Sequence, residues 1–147
     1  MATTYAFKAI VGAFADPDTG VFPFAGQEGM KHITIFNATD RTVHDTAADG
    51  TVMVSYVAGA SGAAEIECQQ NSTLNLFLIQ WANTKFTQSE TGGAANFAAA
   101  SLRILDTLSG ARHTLTGISP LKVPDKSYGP AGASVTWRLM AANVVSD

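Results

Sequence analysis

The alternation of apolar and polar residues divides this chain into short strands and one helical stretch. Tyr5 to Phe14 is a mostly apolar run stopped by Asp16-Pro17-Asp18-Thr19-Gly20, whose residue types supply turn geometry, so a strand and then a turn are predicted. In Lys31 to Asn37, Ile33 and Ile35 fall on one face and His32, Thr34 and Phe36 on the other, the period of two that marks a strand. Residues 38–50 are polar and close on Asp49-Gly50; an extended arm is expected there, with a short strand around Arg41 to Asp45. Val52, Val54, Tyr56 and Ala58 share one face of a further strand. In the next, Ala64, Ile66 and Cys68 alternate with Glu65, Glu67 and Gln69, and Gly59-Ala60-Ser61-Gly62 reads as the hairpin link between the two.

The period changes after Asn71. Ser72 is a good N-cap, and Leu74, Phe77, Leu78, Trp81 and Ala82 fall at helical spacing, so one apolar stripe predicts an α-helix over about residues 72–85. Burying such a stripe stabilises by about 1.5–3 kcal/mol for each large side chain, which a short helix needs because it is marginal alone. Gln88 to Ala100 is rich in Ser, Thr, Gly and Ala, with Gly92-Gly93 as a breaker, and predicts a flexible surface loop. Leu102 to Thr107 and Arg112 to Thr116 flank Ser109-Gly110 as a hairpin; Pro120, Pro124 and Pro130 punctuate the connection that follows. In Ser134 to Ala141, Val135, Trp137, Leu139 and Ala141 face one way and Ser134, Thr136, Arg138 and Met140 the other. The expected fold class is mainly β: roughly eight strands in a β-sandwich or partly closed barrel with one flanking helix, as a single domain over residues 1–147.

Composition narrows the function. Hydrophobic residues make up 46% of the 147 and charged residues only 14%, against about 25% in an average soluble domain, which excludes disorder. No run of about 18 apolar residues occurs, so no membrane insertion is expected. Met1-Ala2-Thr3-Thr4-Tyr5 lacks the basic flank and apolar run of a signal peptide, and a cytosolic site of synthesis is expected. Nine basic against 12 acidic residues give a net charge of −3, the wrong sign for a protein that grips phosphate by counterion release.

Candidate chemistry is sparse. Cys68 could act as a nucleophile with His32, His44 or His113 as base, but it shares a strand face with Ala64 and Ile66, where a thiol is a small buried hydrophobe. The histidines lack metal-pair spacing, and Gly59-Ala60-Ser61-Gly62 lacks the lysine and helix of a phosphate loop. No catalytic residue, metal or cofactor is expected. Glu65 and Glu67 leave one strand face together, as paired carboxylates in glycosidases do, but the same spacing makes the polar side of an ordinary amphipathic strand. Few lysines or prolines guard the predicted strands, so self-association through sheet edges is expected to cover them.

The block from Asp49 to Gly62, Asp-Gly-Thr-Val-Met-Val-Ser-Tyr-Val-Ala-Gly-Ala-Ser-Gly, resembles the tail tube proteins of contractile-tailed bacteriophages. Tyr5-Ala6-Phe7 near the start and Gly132-Ala133-Ser134-Val135-Thr136-Trp137 near the end extend the resemblance over most of the chain. It implies a fold shared with type VI secretion tube proteins, with six copies in a ring and rings stacked into a hollow tube that passes DNA into the host. It further implies partners in the tail sheath and baseplate, DNA passing through the lumen without specific binding, and a place in the virion tail after assembly in the bacterial host cytoplasm. On this analogy Glu65 and Glu67 are lumen-facing, and the arm from Ala38 to Gly50 reaches a neighbouring subunit through Arg41, Asp45 and Asp49. The alternative is a monomeric carbohydrate-binding β-sandwich with an aromatic platform of Trp137, Tyr56 or Tyr128; against it, Trp137 and Tyr56 fall on apolar strand faces and read as core.

Overall fold

Two bends convert one run of antiparallel strands into two facing sheets. The computed structural model describes residues 2–25, 29–90, 92 and 96–147. After a 3-10 turn at Phe7–Ala9 come β1 (Ile10–Asp16), β2 (Gly20–Ala25), β3 (Met30–Asn37), β4 (Thr42–Thr46), β5 (Val52–Tyr56) and β6 (Gly62–Gln69). Helix α1 (Thr73–Glu90) follows, then β7 (Ala100–Asp106), β8 (Arg112–Pro120), β9 (Ser134–Ala141) and β10 (Asn143–Ser146). The first sheet runs β2-β1-β7-β8, with β10 on the far side of β8; the second runs β8-β9-β6-β3.

β8 belongs to both sheets. Its first part pairs with β7 and β10, and its last residues, Ser119 and Pro120, pair with Met140 and Leu139 of β9. The bend lies at Gly117, φ +67°, where an added Cβ would stand 2.7 Å from the Cβ of Ala142. Ala142 joins β9 to β10 at the facing bend, and its N–H is shared between the carbonyls of Thr116 (3.0 Å) and Gly117 (3.2 Å). A left-handed backbone pressed against a neighbour is a place where only glycine fits without strain, and such bends make the corners of sandwiches. β2 and β3 end the strand order without pairing to each other, so the described residues form a sandwich and not a closed barrel.

The core lies between the sheets, with Phe14, Leu102 and Leu115 facing Ile66, Trp137 and Leu139. Helix α1 flanks this core and packs Leu74, Leu78 and Trp81 into it, and Phe14 meets Trp81 edge-on at 4.9 Å between ring centroids. Ser72 Oγ accepts the Asn75 N–H (3.2 Å) and donates to the Gln69 carbonyl (2.8 Å), which caps the helix as its sequence predicts. Buried Asn75 accepts from Trp137 Nε1 (2.9 Å) and donates to the Gln70 carbonyl (2.8 Å), which fixes the helix to β9.

Several expectations are corrected. The helix does not stop near 85: Lys85 continues the buried stripe and is held there by Asp16 (2.9 Å), the last residue of β1, and Asp18 (2.7 Å) in the turn to β2. Within the expected loop from Gln88 to Ala100, Gln88 to Glu90 are helical and Phe97 packs on Phe86 at 6.2 Å; Thr91 and residues 93–95 lie outside the described residues. The first strand begins at Ile10 and not Tyr5, and β2 and β10 are additional strands. Most consequential, Gly59 to Gly62 is no hairpin link: β5 pairs with β4, and β6 with β3 and β9.

Candidate assembly surfaces

β3, β6 and β9 set the outer face of the second sheet, and their register places its side chains in rows. One row is Thr34, Glu65 and Arg138; the next is His32, Glu67 and Thr136; a third is Phe36, Ala63 and Met140. Alternation puts Ala64, Ile66 and Cys68 inward, so Glu65 and Glu67 point outward together and both are half-buried. Arg138 Nη1 lies 3.4 Å from Glu65 Oε1, with the two side chains 45% and 39% exposed, and its guanidinium stands 5.2 Å from the centre of the Phe36 ring. An ion pair this exposed contributes about 0–1 kcal/mol. The face is therefore mixed in charge, with Glu67 making no ion pair among the described residues, and Arg138 is the participant that reading the acidic pair alone overlooks.

The second surface is the arm. Its strands β4 and β5 pair from Thr42↔Tyr56 to Thr46↔Val52 as a separate two-stranded sheet, closed at the root by Val57 N–H to the Arg41 carbonyl (2.9 Å). At the tip Gly50, φ +89°, and the Asp49 carboxylate, which accepts the Thr51 N–H (3.0 Å), shape the turn. That backbone hydrogen bond holds the Asp49 carboxyl below the usual carboxylate range. Arg41 is likewise engaged within the arm, donating to Tyr56 Oη (3.0 Å) with its guanidinium 5.8 Å from the ring centre. Asp45 stands opposite Met53 and makes no such hydrogen bond or ion pair among the described residues.

Every residue of β4 and β5 is exposed, including Val43, Val52, Met53, Val54 and Tyr56 at 49–72%. Tyr56 is thus not core, contrary to the expectation from its strand face. An isolated two-stranded hairpin is marginal in water, and apolar side chains on both faces call for partners on both.

The remaining candidates do not converge. Cys68 is buried among core side chains, and burial pushes its thiol pKa up, away from the nucleophilic form. His32 lies on the second sheet, His44 on the arm and His113 beside Ser146 (2.8 Å) on the first sheet. Among the described residues no three His, Cys, Asp or Glu side chains are placed to hold a metal ion, and no helix is long and apolar enough to cross a membrane. Trp137 is buried under Asn75, which leaves Tyr56 and Tyr128 without it as a stacking platform.

Comparison with known proteins gives one family match: the model described as Bacteriophage PhiTE tail tube protein fits residues 1–146. No curated protein matches the sequence. Among solved structures, the chain is similar to the sheath/tube terminator of the PVC extracellular contractile injection system in its extended state, with TM-score 0.61, 13% identity, and coverage of 100% of this chain and 99% of that one. The sheath-tube complex of the same system matches with TM-score 0.57 and 12% identity over 98% of this chain and 91% of that one. The tube terminating cap of the anti-feeding prophage matches with TM-score 0.56 and 10% identity over 100% and 94%. At these identities the likeness is one of fold.

Proposed function

The chain belongs to the Bacteriophage PhiTE tail tube protein family, a structural and non-enzymatic component of the virion tail, and on that premise we propose that it is the repeating subunit of the inner tail tube. The family match over residues 1–146 carries this reading. In it, residues 1–147 act as one domain, six copies form a ring, and rings stack into a hollow tube that conducts DNA into the host. The outer face of the second sheet, with Glu65 and Glu67, lines the lumen. Net charge −3 suits that role, because a basic wall would hold DNA by many phosphate contacts and counterion release.

The arm, now residues 38–61 and not 38–50 alone, reaches a neighbouring subunit in the ring or the next ring, where burial of its exposed apolar side chains stabilises the contact. Sheath and baseplate proteins are the further partners, and assembly takes place in the host cytoplasm. A second reading, a terminator that ends the tube, draws on the likeness to the PVC sheath/tube terminator along 99% of that chain.

Light scattering after size exclusion, with negative-stain microscopy of the same fractions, tests both. Hollow tubes of uniform diameter are expected for a tube subunit and single rings that do not stack for a terminator. Monomer that persists at high concentration with tail-tip seeds present would contradict both.

A further inference from the structure

The outer face of the first sheet carries a groove that the tube reading does not use. Register sets its rows as Ala25, Val11, Leu105 and Arg112, and Pro23, Ala13, Arg103 and Thr114. The groove has a volume of about 660 Å³, with an apolar floor from Val11, Ala13, Pro23 and Leu105; two cations, Arg103 and Arg112, and one acidic residue, Asp147, also line it. Both arginines are exposed, and among the described residues neither guanidinium has a carboxylate within 4.0 Å. Asp147 joins Arg112 through backbone hydrogen bonds only (2.9 and 3.1 Å).

A surface of this kind fits a ligand that offers apolar side chains next to a carboxylate. One face of the arm does so: strand alternation and register put Val43, Asp45, Met53 and Ser55 on the same side, with Asp49 at the tip. Arg41 is turned to Tyr56 at the root, so the middle and tip of the arm are left acidic. Within one subunit the arm occupies no groove, since all of β4 and β5 is exposed.

We infer that the groove over Val11, Ala13 and Leu105 is the acceptor for the arm of a second copy, with Val43 and Met53 on its apolar floor and Asp45 against Arg103 or Arg112. Donor and acceptor are different surfaces of the same chain, so the contact is heterologous. Such contacts close rings or propagate as filaments and do not stop at a pair. This inference rests on the arm being an inter-subunit element, and it adds where the arm lands and which charges meet there.

Charge exchange tests it in the full chain. Arg103→Glu and Asp45→Arg are each expected to raise the concentration needed for assembly by about tenfold or more, the range that close interfacial charge pairs reach. The combination is expected to recover most of that loss, with unchanged circular dichroism showing intact folds. In parallel, Met53→Cys with Leu105→Cys in one chain is expected to give a ladder of disulfide-linked oligomers on oxidation. If Asp45→Arg blocks assembly but Arg103→Glu does not, and no ladder forms, the groove is not the acceptor while the arm reading stands. If neither change affects assembly, the arm reading itself fails. Normal tubes that lose sheath binding with Arg103→Glu would assign the groove to the sheath and overturn the inference. A wild-type chain that does not assemble at high concentration, together with a Met53→Cys/Leu105→Cys chain that does not cross-link, overturns both.

Discussion

Replacing Lys85 by Met keeps a long, unbranched side chain in α1 but removes the ammonium that ties the helix to the β1–β2 turn. Its Nζ lies 2.9 Å from Asp16 Oδ1 and 2.7 Å from Asp18 Oδ2, and the side chains of Lys85 and Asp16 are both 0% exposed. Asp16 Oδ2 stays satisfied by the backbone N–H groups of Asp18 and Thr19 and the Thr19 hydroxyl, so the loss falls on Oδ1, which water cannot reach. Leaving one member of a buried pair uncompensated costs about 3–5 kcal/mol. For a chain of about 150 residues each kcal/mol lowers Tm by about 2–4 °C, so a fall of about 6–20 °C is expected. Removing both charges should cost less than breaking the pair, so adding Asp16→Asn to Lys85→Met should recover part of the loss.

The assay is thermal and urea unfolding followed by circular dichroism at protein concentrations low enough to prevent assembly, because assembly raises apparent stability by mass action. A loss below about 1 kcal/mol, or costs for Asp16→Asn and Lys85→Met that simply add, would refute the reasoning. The pH dependence carries its own signs. Burial opposes the Lys85 charge, but hydrogen bonds to Asp18 and Asp16 outweigh it and raise the lysine pKa, so its contribution is lost as pH rises through that raised value. The Lys85 hydrogen bond lowers the Asp18 pKa, so that contribution holds above the ordinary carboxylate value and is lost as pH falls through the lowered one. The wild-type advantage over Lys85→Met is therefore expected to hold from about pH 5 to 9 and to shrink at both extremes.

Gly117→Val puts a β-branched residue at φ +67° against Ala142, and a loss above the roughly 1–2 kcal/mol of left-handed strain alone is expected in denaturant melts; a neutral result would remove the corner from the account. Asn75→Leu deprives Trp137 Nε1 of its partner and should cost about 1–3 kcal/mol, read from the same melts, and a stabilised variant would show that the bond is dispensable. Glu65→Lys with Glu67→Lys is expected to leave tube diameter unchanged but to slow DNA release from phage, with normal rates returning at high salt. Unchanged release at low salt would argue that this face does not line the channel.

Sequence pattern was most informative where a strand or helix packs on its own subunit. The alternation around Trp137 and Ile66, the Ser72 cap and the stripe from Leu74 to Ala82 all lie where expected, because burial selects side chains at the local period. It failed where the partner is remote or lies outside the subunit. The sequence stripe ends at Ala82, and nothing local marks Lys85 as buried, because Asp16 and Asp18, which hold it there, are far away in sequence. The alternation from Val52 to Tyr56 implies burial, yet these residues are exposed, and the side chains of β5 have no core of their own to face. Phe22 and Phe24 alternate as a strand should, but Pro23 between them hides the signal; on an edge strand such a proline is tolerated. Arg138 beside Glu65 and the groove at Arg103 follow from register, which single-strand patterns do not contain.

The most direct test of the central claim is a helical reconstruction by electron microscopy of tubes assembled from this chain. The expected map is a hollow tube of stacked rings, with the face bearing Glu65 and Glu67 toward the channel and the arm of residues 38–61 buried between subunits. A tube whose channel is lined by any other face, or an arm left exposed in the assembled wall, would contradict it.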